Sequence, residues 1–358
     1  EELTEVTEAL NNALGYEVDR FSLKEEFISR SLYGVDIDPS GIELCKFRTW
    51  LHLMQDLDDV GLDEFLNHNE KYALPNLGFK FFVGNSLSGD FKPTEIRSVL
   101  DNIGGEKTGD ESMQTTIGAR HTGTRDLSDI VDEVDNKREE YLEAHGERKD
   151  KLESELGDLI KEIDGLIDWK SSDFWMDTVT ETEEASFKWS VNIPEVILDG
   201  GFDIVIGNPP YKGNPQLDYI LPLSNWLDER SEHYDKPIRK DLYQLFIFRA
   251  FELAKSGGTV SFITSNTWLN IMTKISTRAL LQTKNVKEII DVSKDIFDAT
   301  VNPAIFTAIN RDESTYATKF IDASDTNTAD YRSLVHYEDL APHTTCSAHG
   351  TEYPINYG

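Results

Sequence analysis

The chain has 358 residues, 39% of them hydrophobic, and its 66 Asp and Glu against 35 Lys and Arg give a net charge of -31. That apolar content is enough to bury a core, so wholesale disorder is excluded. No apolar run reaches membrane-spanning length and no signal peptide is read, and the overall acidity runs against the basic face that a nucleic-acid enzyme normally carries.

Cys45 and Cys346 lie far apart and fit no metal or redox spacing, and the eight histidines are scattered. An intracellular, cytoplasmic protein without a metal site is therefore expected. The acidic residues are spread along the chain rather than gathered in a tail. This pattern fits molar intracellular salt, where the Debye length falls to about 3 Å and self-repulsion is screened. A halophilic archaeon is the expected source. The rival reading, an acidic mimic of nucleic acid, has no use for a pocket that stacks a base.

In chain order, residues 1–12 read as an amphipathic helical tail, and the opening on Glu1 fits a piece of a longer protein. Leu32 to Ile37 is a short strand. Pro39 suits the first position of the next helix, whose apolar face takes in Ile42, Leu44, Cys45, Phe47, Trp50, Leu51 and Leu53. An acidic residue at such a strand end is the usual partner of a ribose diol. Asp36 is the first candidate and Asp38 the second, unless either carboxylate simply caps the helix. Phe79 to Val83 is the next strand, and Gly84-Asn85-Ser86-Leu87 its exit. Asn85 is a candidate for the adenine edge of a nucleotide-like cofactor and Leu87 for its face, although Gly-Asn-Ser is also ordinary turn chemistry.

Between residues 88 and 186 the composition changes. Ile130, Val134 and Tyr141, then Leu152, Leu156, Leu159 and Ile163, recur at helical spacing within charged sequence. They predict a helical hairpin inserted into the sheet domain, in the plainest reading a solvated arm without chemistry. Phe187-Lys188-Trp189 and Ile193-Pro194-Glu195-Val196 return the chain to the sheet.

Phe202, Ile204, Val205 and Ile206 form a short apolar run, as in a central strand of a parallel sheet. Pro209 and Pro210 remove two N–H donors and fix φ, so the strand ends there. Ligands of such a sheet sit beyond the carboxyl ends of its strands, where Asn208 and Tyr211 stand. The Asn208 side-chain oxygen and the Pro209 carbonyl can accept two hydrogen bonds side by side, which suits a planar –NH2 group. Tyr211 offers a ring to stack on. The pattern describes a pocket for the exocyclic amine of a nucleobase. The plainer alternative is a proline-terminated strand whose Asn caps a turn.

Beyond a loop-rich stretch, Asp241 to Ala254 is a helix closed by Gly257-Gly258, Thr259 to Thr264 a strand, and Ser276 to Leu281 a short helix. Val286–Val292 and Pro303–Ile309 are strands joined by a loop too short for a helical crossover, hence an antiparallel pair. Phe297, in that loop, is either the second ring around the base or a loop anchor. From Arg311 onward periodicity fades and a linker is expected.

In this order, Tyr33-Gly34-Val35-Asp36-Ile37-Asp38-Pro39, Gly84-Asn85-Ser86-Leu87, Phe187–Glu195, Gly201–Tyr211, Asp241-Leu242-Tyr243 and Phe297 resemble the methyltransferase domain of amino-group DNA methyltransferases. The likeness is greatest to the large single-chain restriction–modification and phage-defence adenine methylases of the type IIG kind. It covers most of residues 27 to 310, and Asn-Pro-Pro-Tyr behind Gly-Phe-Asp-Ile-Val-Ile-Gly is its most specific part.

The resemblance implies an α/β fold: a Rossmann-like methyltransferase sheet with an antiparallel terminal hairpin and a helical insertion. It implies S-adenosylmethionine as methyl donor, held by Asp36, Ile37, Asn85, Leu87 and Asn208. The partner is double-stranded DNA with a flipped adenine, methylated at N6 by the corner Asn208, Pro209, Pro210 and Tyr211, with Tyr211 and Phe297 stacking on the base. Residues 1–87 are then the cofactor side, 88–186 the insertion, 187–310 the catalytic part and 311–358 a linker. That linker leads toward a target-recognition domain outside this sequence, and a nuclease or recognition domain elsewhere in the full-length chain is the implied partner. One departure stands out: the family's first strand and glycine-rich cofactor loop, which precede the Asp36 segment, are not found, and Gly15 has no second glycine at loop spacing. The amine of cytosine N4 and the amide of a protein glutamine present the same –NH2 group, so both remain alternative acceptors. A non-catalytic DNA-binding subunit is the alternative from another class.

Overall fold

A computed structural model of the chain describes residues 20–57, 75–87, 127–166, 187–211, 241–270, 274–292, 302–312, 315–323 and 344–349. They fall into two units. The first takes in Glu1–Gly89, Asn102–Ser172 and Thr182–Glu195, and the second Asp90–Asp101, Asp173–Glu181 and Val196–Gly358.

In the first unit, α1 (Arg20–Ser31) precedes β1 (Gly34–Asp36) and α2 (Pro39–Met54) follows it. β1 pairs in parallel with β2 (Phe81–Val83), Val35 lying opposite Phe82. Phe21, Ile28, Ile42, Leu53, Leu77 and Phe81 form the core against which Trp50 packs. Pro39 opens α2 as expected, and the Asp38 carboxylate caps it by accepting from the Ser40 N–H at 2.9 Å. The apolar face read for α2 is wider than the one it buries. Leu44, Cys45, Phe47 and Leu51 are exposed, because at 100° per residue Leu44, Phe47 and Leu51 turn to the side opposite Ile42 and Leu53.

The insertion is a hairpin of α3 (Leu127–Leu142) and α4 (Gly146–Leu166), and Gly146 takes φ 55 at the turn. It does not stand free in solvent. α3 buries Ile130, Val134, Arg138 and Tyr141. Asn76 donates to the carbonyls of Tyr141 at 2.8 Å and Ala144 at 2.6 Å, and Phe79 meets the Tyr141 ring edge-on at 4.9 Å. The short helix α5 (Trp189–Asn192) and the start of α6 (Pro194–Leu198) complete this unit.

The second unit carries β3 (Phe202–Gly207), α7 (Leu242–Leu253), β4 (Ala254–Ser265), α8 (Thr267–Asn270), α9 (Ile275–Thr283), β5 (Lys284–Val292), β6 (Pro303–Asp312), β7 (Thr315–Ala323) and β8 (Thr344–His349). The sheet order is β3-β4-β6-β5-β7-β8. β3 and β4 are parallel, and β6 runs antiparallel to both β4 and β5, which is the hairpin expected from the short connection. The architecture is thus the mixed α/β one predicted.

Three further details differ from the sequence reading. β3 was expected in the middle of a sheet, but among the described residues it is an edge, with Ile204 65% and Ile206 74% exposed. Gly257-Gly258 does not close α7. The helix ends at Leu253, and the glycine pair lies within β4, where the register with β3 slips between Phe202 and Ile204. The stretch read as a linker holds two more strands, β7 parallel to β5 and β8 antiparallel to β7. Thr318, Phe320 and Ile321 are buried in β7, and these β-branched and aromatic residues suit a half-covered strand despite weak alternation. Among the described residues no helix is long and apolar enough to cross a membrane.

Candidate active site

β3 runs out at Gly207, whose Cα faces the Phe262 ring so closely that a Cβ there would lie 2.9 Å from it. The chain then turns through Asn208, exposed, Pro209, buried, Pro210, exposed, and Tyr211, half-buried. Burial pushes the Tyr211 hydroxyl pKa up. The Asn208 oxygen cannot close a turn onto the residue two ahead, because Pro210 has no N–H.

β4 leaves the sheet at the same end, since β3 and β4 are parallel with Gly207 opposite Phe262. Its exit is polar and ordered by hydroxyls. The Tyr243 hydroxyl of α7 and the Thr267 hydroxyl share a hydrogen bond at 3.0 Å, as do those of Ser265 and Thr267. Burial holds the Tyr243 pKa at about 12, with Thr267 pulling the other way. The Asp241 side chain does not cap α7. Its carboxylate takes the Lys274 ammonium, which also reaches Gln244 Oε1 at 3.2 Å. Gln244 in turn donates to the Thr277 hydroxyl at 2.5 Å. Just past β4, Asn266 donates from its side chain to Asp291 of β5 at 3.2 Å. A rigid polar floor thus lies at the end of the sheet from which Asn208 emerges.

In the first unit the exits of β1 and β2 lie side by side, Asp36 opposite Val83. The exposed Asp36 carboxylate accepts the Asp38 N–H through Oδ1 at 2.8 Å, and Ile37 is 59% exposed. The Asp36 carbonyl accepts from the Gly84 N–H at 2.8 Å, which ties the two exits together. Asn85 is 8% exposed, and its Oδ1 accepts the Leu87 N–H at 3.1 Å. The Leu87 side chain is buried. Asp36 and Ile37 therefore stand open at a strand end, whereas Asn85 and Leu87 are committed to the turn itself. Phe297 lies outside the described residues.

Residues 30–297 match the model of the Eco57I restriction-modification methylases. The chain belongs to that family. It is 27% identical over 332 residues to a Methanocaldococcus jannaschii protein provisionally named a type II restriction enzyme and methyltransferase, covering 83% of this chain and 27% of that one. It is also 36% identical over 72 residues to the type II methyltransferase M.PaeR7I of Pseudomonas aeruginosa, or 20% of this chain and 12% of the relative. Among solved structures, the nuclease-deletion mutant of the type ISP restriction-modification enzyme LlaGI, in complex with a DNA substrate mimic, aligns with 95% of this chain and 25% of its own. That alignment has 12% identity and a TM-score of 0.38. The chain thus spans about a quarter or less of these relatives' lengths.

In this Eco57I-family chain, the corner and Asp36 stand at strand ends as the sequence reading placed them, whereas the polar contacts of Gln244, Lys274 and Thr277 beside the β4 exit were not read. One signal was available. Gln244 is a lone amide inside the apolar run of α7, Leu242-Tyr243-Gln244-Leu245-Phe246-Ile247-Phe248, and it is fully buried. A buried amide calls for a polar partner elsewhere in the chain.

Proposed function

We propose that this chain is the methyltransferase part of a restriction–modification or phage-defence protein that transfers a methyl group from S-adenosylmethionine to N6 of an adenine flipped out of double-stranded DNA. The observation that carries the reading is the exposed Asn208 at a proline-closed strand end, with the half-buried Tyr211 three residues on. Asn208 Oδ1 and the Pro209 carbonyl accept the two N6 hydrogens. This localises a lone pair otherwise delocalised into the purine ring. Tyr211 stacks on the base and offsets a flipping cost of a few kcal/mol. Phe297 is proposed as the opposite ring.

Asp36 suits a ribose diol, since only its Oδ1 is engaged by Asp38 and the carboxylate is exposed. Asn85 fits less well as an adenine partner through its oxygen, because Oδ1 already serves Leu87. When bound, S-adenosylmethionine supplies a sulfonium methyl carbon for direct displacement. The protein's part is to orient the amine, exclude water and hold both partners still. Metal ligands and a covalent enzyme intermediate have no place in this scheme.

Among the described residues β3 is an edge, and its unpaired backbone supports a further strand beside it in the intact protein, with which the glycine-rich loop is proposed to come, while the exposed Ile204 and Ile206 leave one face of β3 open to a covering layer. The proposed working medium is molar salt. Mass spectrometry of nucleosides from cells with and without the gene tests the reading. N6-methyladenine that appears only with the gene supports it. N4-methylcytosine in its place, or no modified nucleoside, overturns it.

A further inference from the structure

The Phe187–Glu195 stretch is left without a role by the mechanism, yet it touches both the exit of β2 and the residue that leads into β1. The Phe187 ring packs on Phe82 at 5.3 Å, and its Cβ stands where a Cβ on Gly84 would come within 2.6 Å. The Trp189 ring meets Phe187 edge-on at 4.9 Å, and its indole N–H donates to the Ser86 carbonyl at 3.2 Å, inside the Gly84–Leu87 turn. At the other end of the stretch, Glu195 accepts from the Tyr33 hydroxyl at 2.8 Å, one residue before β1. The same carboxylate oxygen takes the Arg138 guanidinium of the inserted hairpin, and Arg138 also donates to the Asn192 carbonyl. Arg138 is 3% exposed. A buried Arg–Glu pair is a poor source of net stability, and its best-attested use is to fix register.

We infer that Phe187–Glu195 is a brace that holds the Gly84–Leu87 turn and the start of β1 in register for the cofactor, locked by Arg138 from the insertion. This rests on the S-adenosylmethionine reading above. Trp189, Glu195 and Arg138 are positioning residues and touch neither base nor methyl group. The insertion thereby gains a function: it sets cofactor affinity through one guanidinium.

The test uses the intact protein, with S-adenosylmethionine binding followed by titration calorimetry and amide exchange followed by mass spectrometry. Trp189→Phe keeps the ring contact with Phe187 and removes the donor. Its Kd and KM for S-adenosylmethionine rise about threefold to tenfold, the usual worth of one hydrogen bond, with kcat at saturation retained. Exchange of amides at Gly84–Leu87 speeds up by about the same factor. Arg138→Met weakens binding similarly, and Arg138→Lys recovers part of it. Ile321→Ala, in the buried cluster with Ile290 and Val292 of the second unit, lowers the unfolding temperature but leaves both Kd and exchange at Gly84–Leu87 unchanged. The inference fails if Trp189→Phe leaves Kd and turn exchange within twofold of the parent, or if Ile321→Ala shifts them as much. A parent protein that does not bind S-adenosylmethionine sinks the donor reading instead, and turn exchange alone then decides for or against the brace.

Discussion

Strands β2 and β3 both leave their sheets through a glycine and an asparagine, Gly84-Asn85 and Gly207-Asn208. In each case a phenylalanine side chain presses where a glycine Cβ would be, Phe187 through its Cβ at Gly84 and Phe262 through its ring at Gly207. The asparagines then part company. Asn85 is followed by Ser86 and Leu87, and its Oδ1 accepts the Leu87 N–H. Asn208 is followed by two prolines, so no N–H stands at the equivalent place, and its side chain is exposed. One asparagine closes its own turn, and the other is kept open by its neighbours. The difference lies in the residues two ahead, not in the asparagines.

The largest effect expected from this contrast is at the open asparagine. Asn208→Ala in the intact protein lowers the rate of DNA adenine methylation by about a thousandfold or more, the scale for losing a group that orients the reacting atom. Thermal unfolding stays unchanged, because an exposed side chain carries little of the fold. Methylation at the parental rate in Asn208→Ala discards the mechanism. Next comes the carboxylate that serves the partner turn. Asp36→Ala removes both the proposed ribose partner and the acceptor for the Asp38 N–H, and raises Kd for S-adenosylmethionine by about tenfold to thirtyfold, as for one charge-assisted hydrogen bond. An unchanged Kd would take Asp36 out of the site.

A smaller change tests the prolines themselves. Pro210→Ala restores an N–H two residues beyond Asn208 and lets that asparagine close a turn as Asn85 does. The rate falls about tenfold, which is the cost of about 1.4 kcal/mol for reopening the turn in each cycle. An N208A/P210A double variant shows no further loss beyond Asn208→Ala, since the competing bond needs the amide. Additive losses would mean that the prolines act only by stiffening the loop.

The corner was legible because proline acts locally. Two adjacent rings end a strand whatever surrounds it, and the apolar run from Phe202 to Ile206 reads as a strand on composition alone. The β5–β6 hairpin was legible for the same reason, its connection being too short for a crossover. Long-range polar contacts were not. Nothing within a few residues of Arg138 says that it pairs with Glu195, 57 positions on. The side of α2 that stays exposed, with Leu44, Phe47 and Leu51, was also hidden, because hydrophobic spacing shows which side chains are apolar and not which face finds a partner. Likewise, the weak alternation of β7 gave no sign that β5 would offer it a parallel edge.

The last effect is on stability rather than rate and concerns the entry to β2, where polar groups are bound inward. Lys80, one residue before β2, is 5% exposed and sits 4.1 Å over the Tyr33 ring. Burial lowers its pKa from 10.5 to about 8, with nearby Glu195 pulling it up and Arg138 pressing it down. Below pH 8 both folded and unfolded chains carry the proton, and confinement of the charge weighs steadily against the fold. Between pH 8 and 10.5 the folded chain gives up a proton that the unfolded chain keeps, so stability rises with pH in that window. Tyr33 limits the gain. Burial and then Glu195 push its pKa up, so above about pH 10 the unfolded chain ionises first and stability turns down. From pH 8 to 10 the parent therefore gains about 2 kcal/mol in denaturant unfolding relative to Lys80→Met, which has no proton to release. Parallel pH profiles for the parent and Lys80→Met would show that the ammonium keeps its water in the fold, and that the entry to β2 is not a dry site.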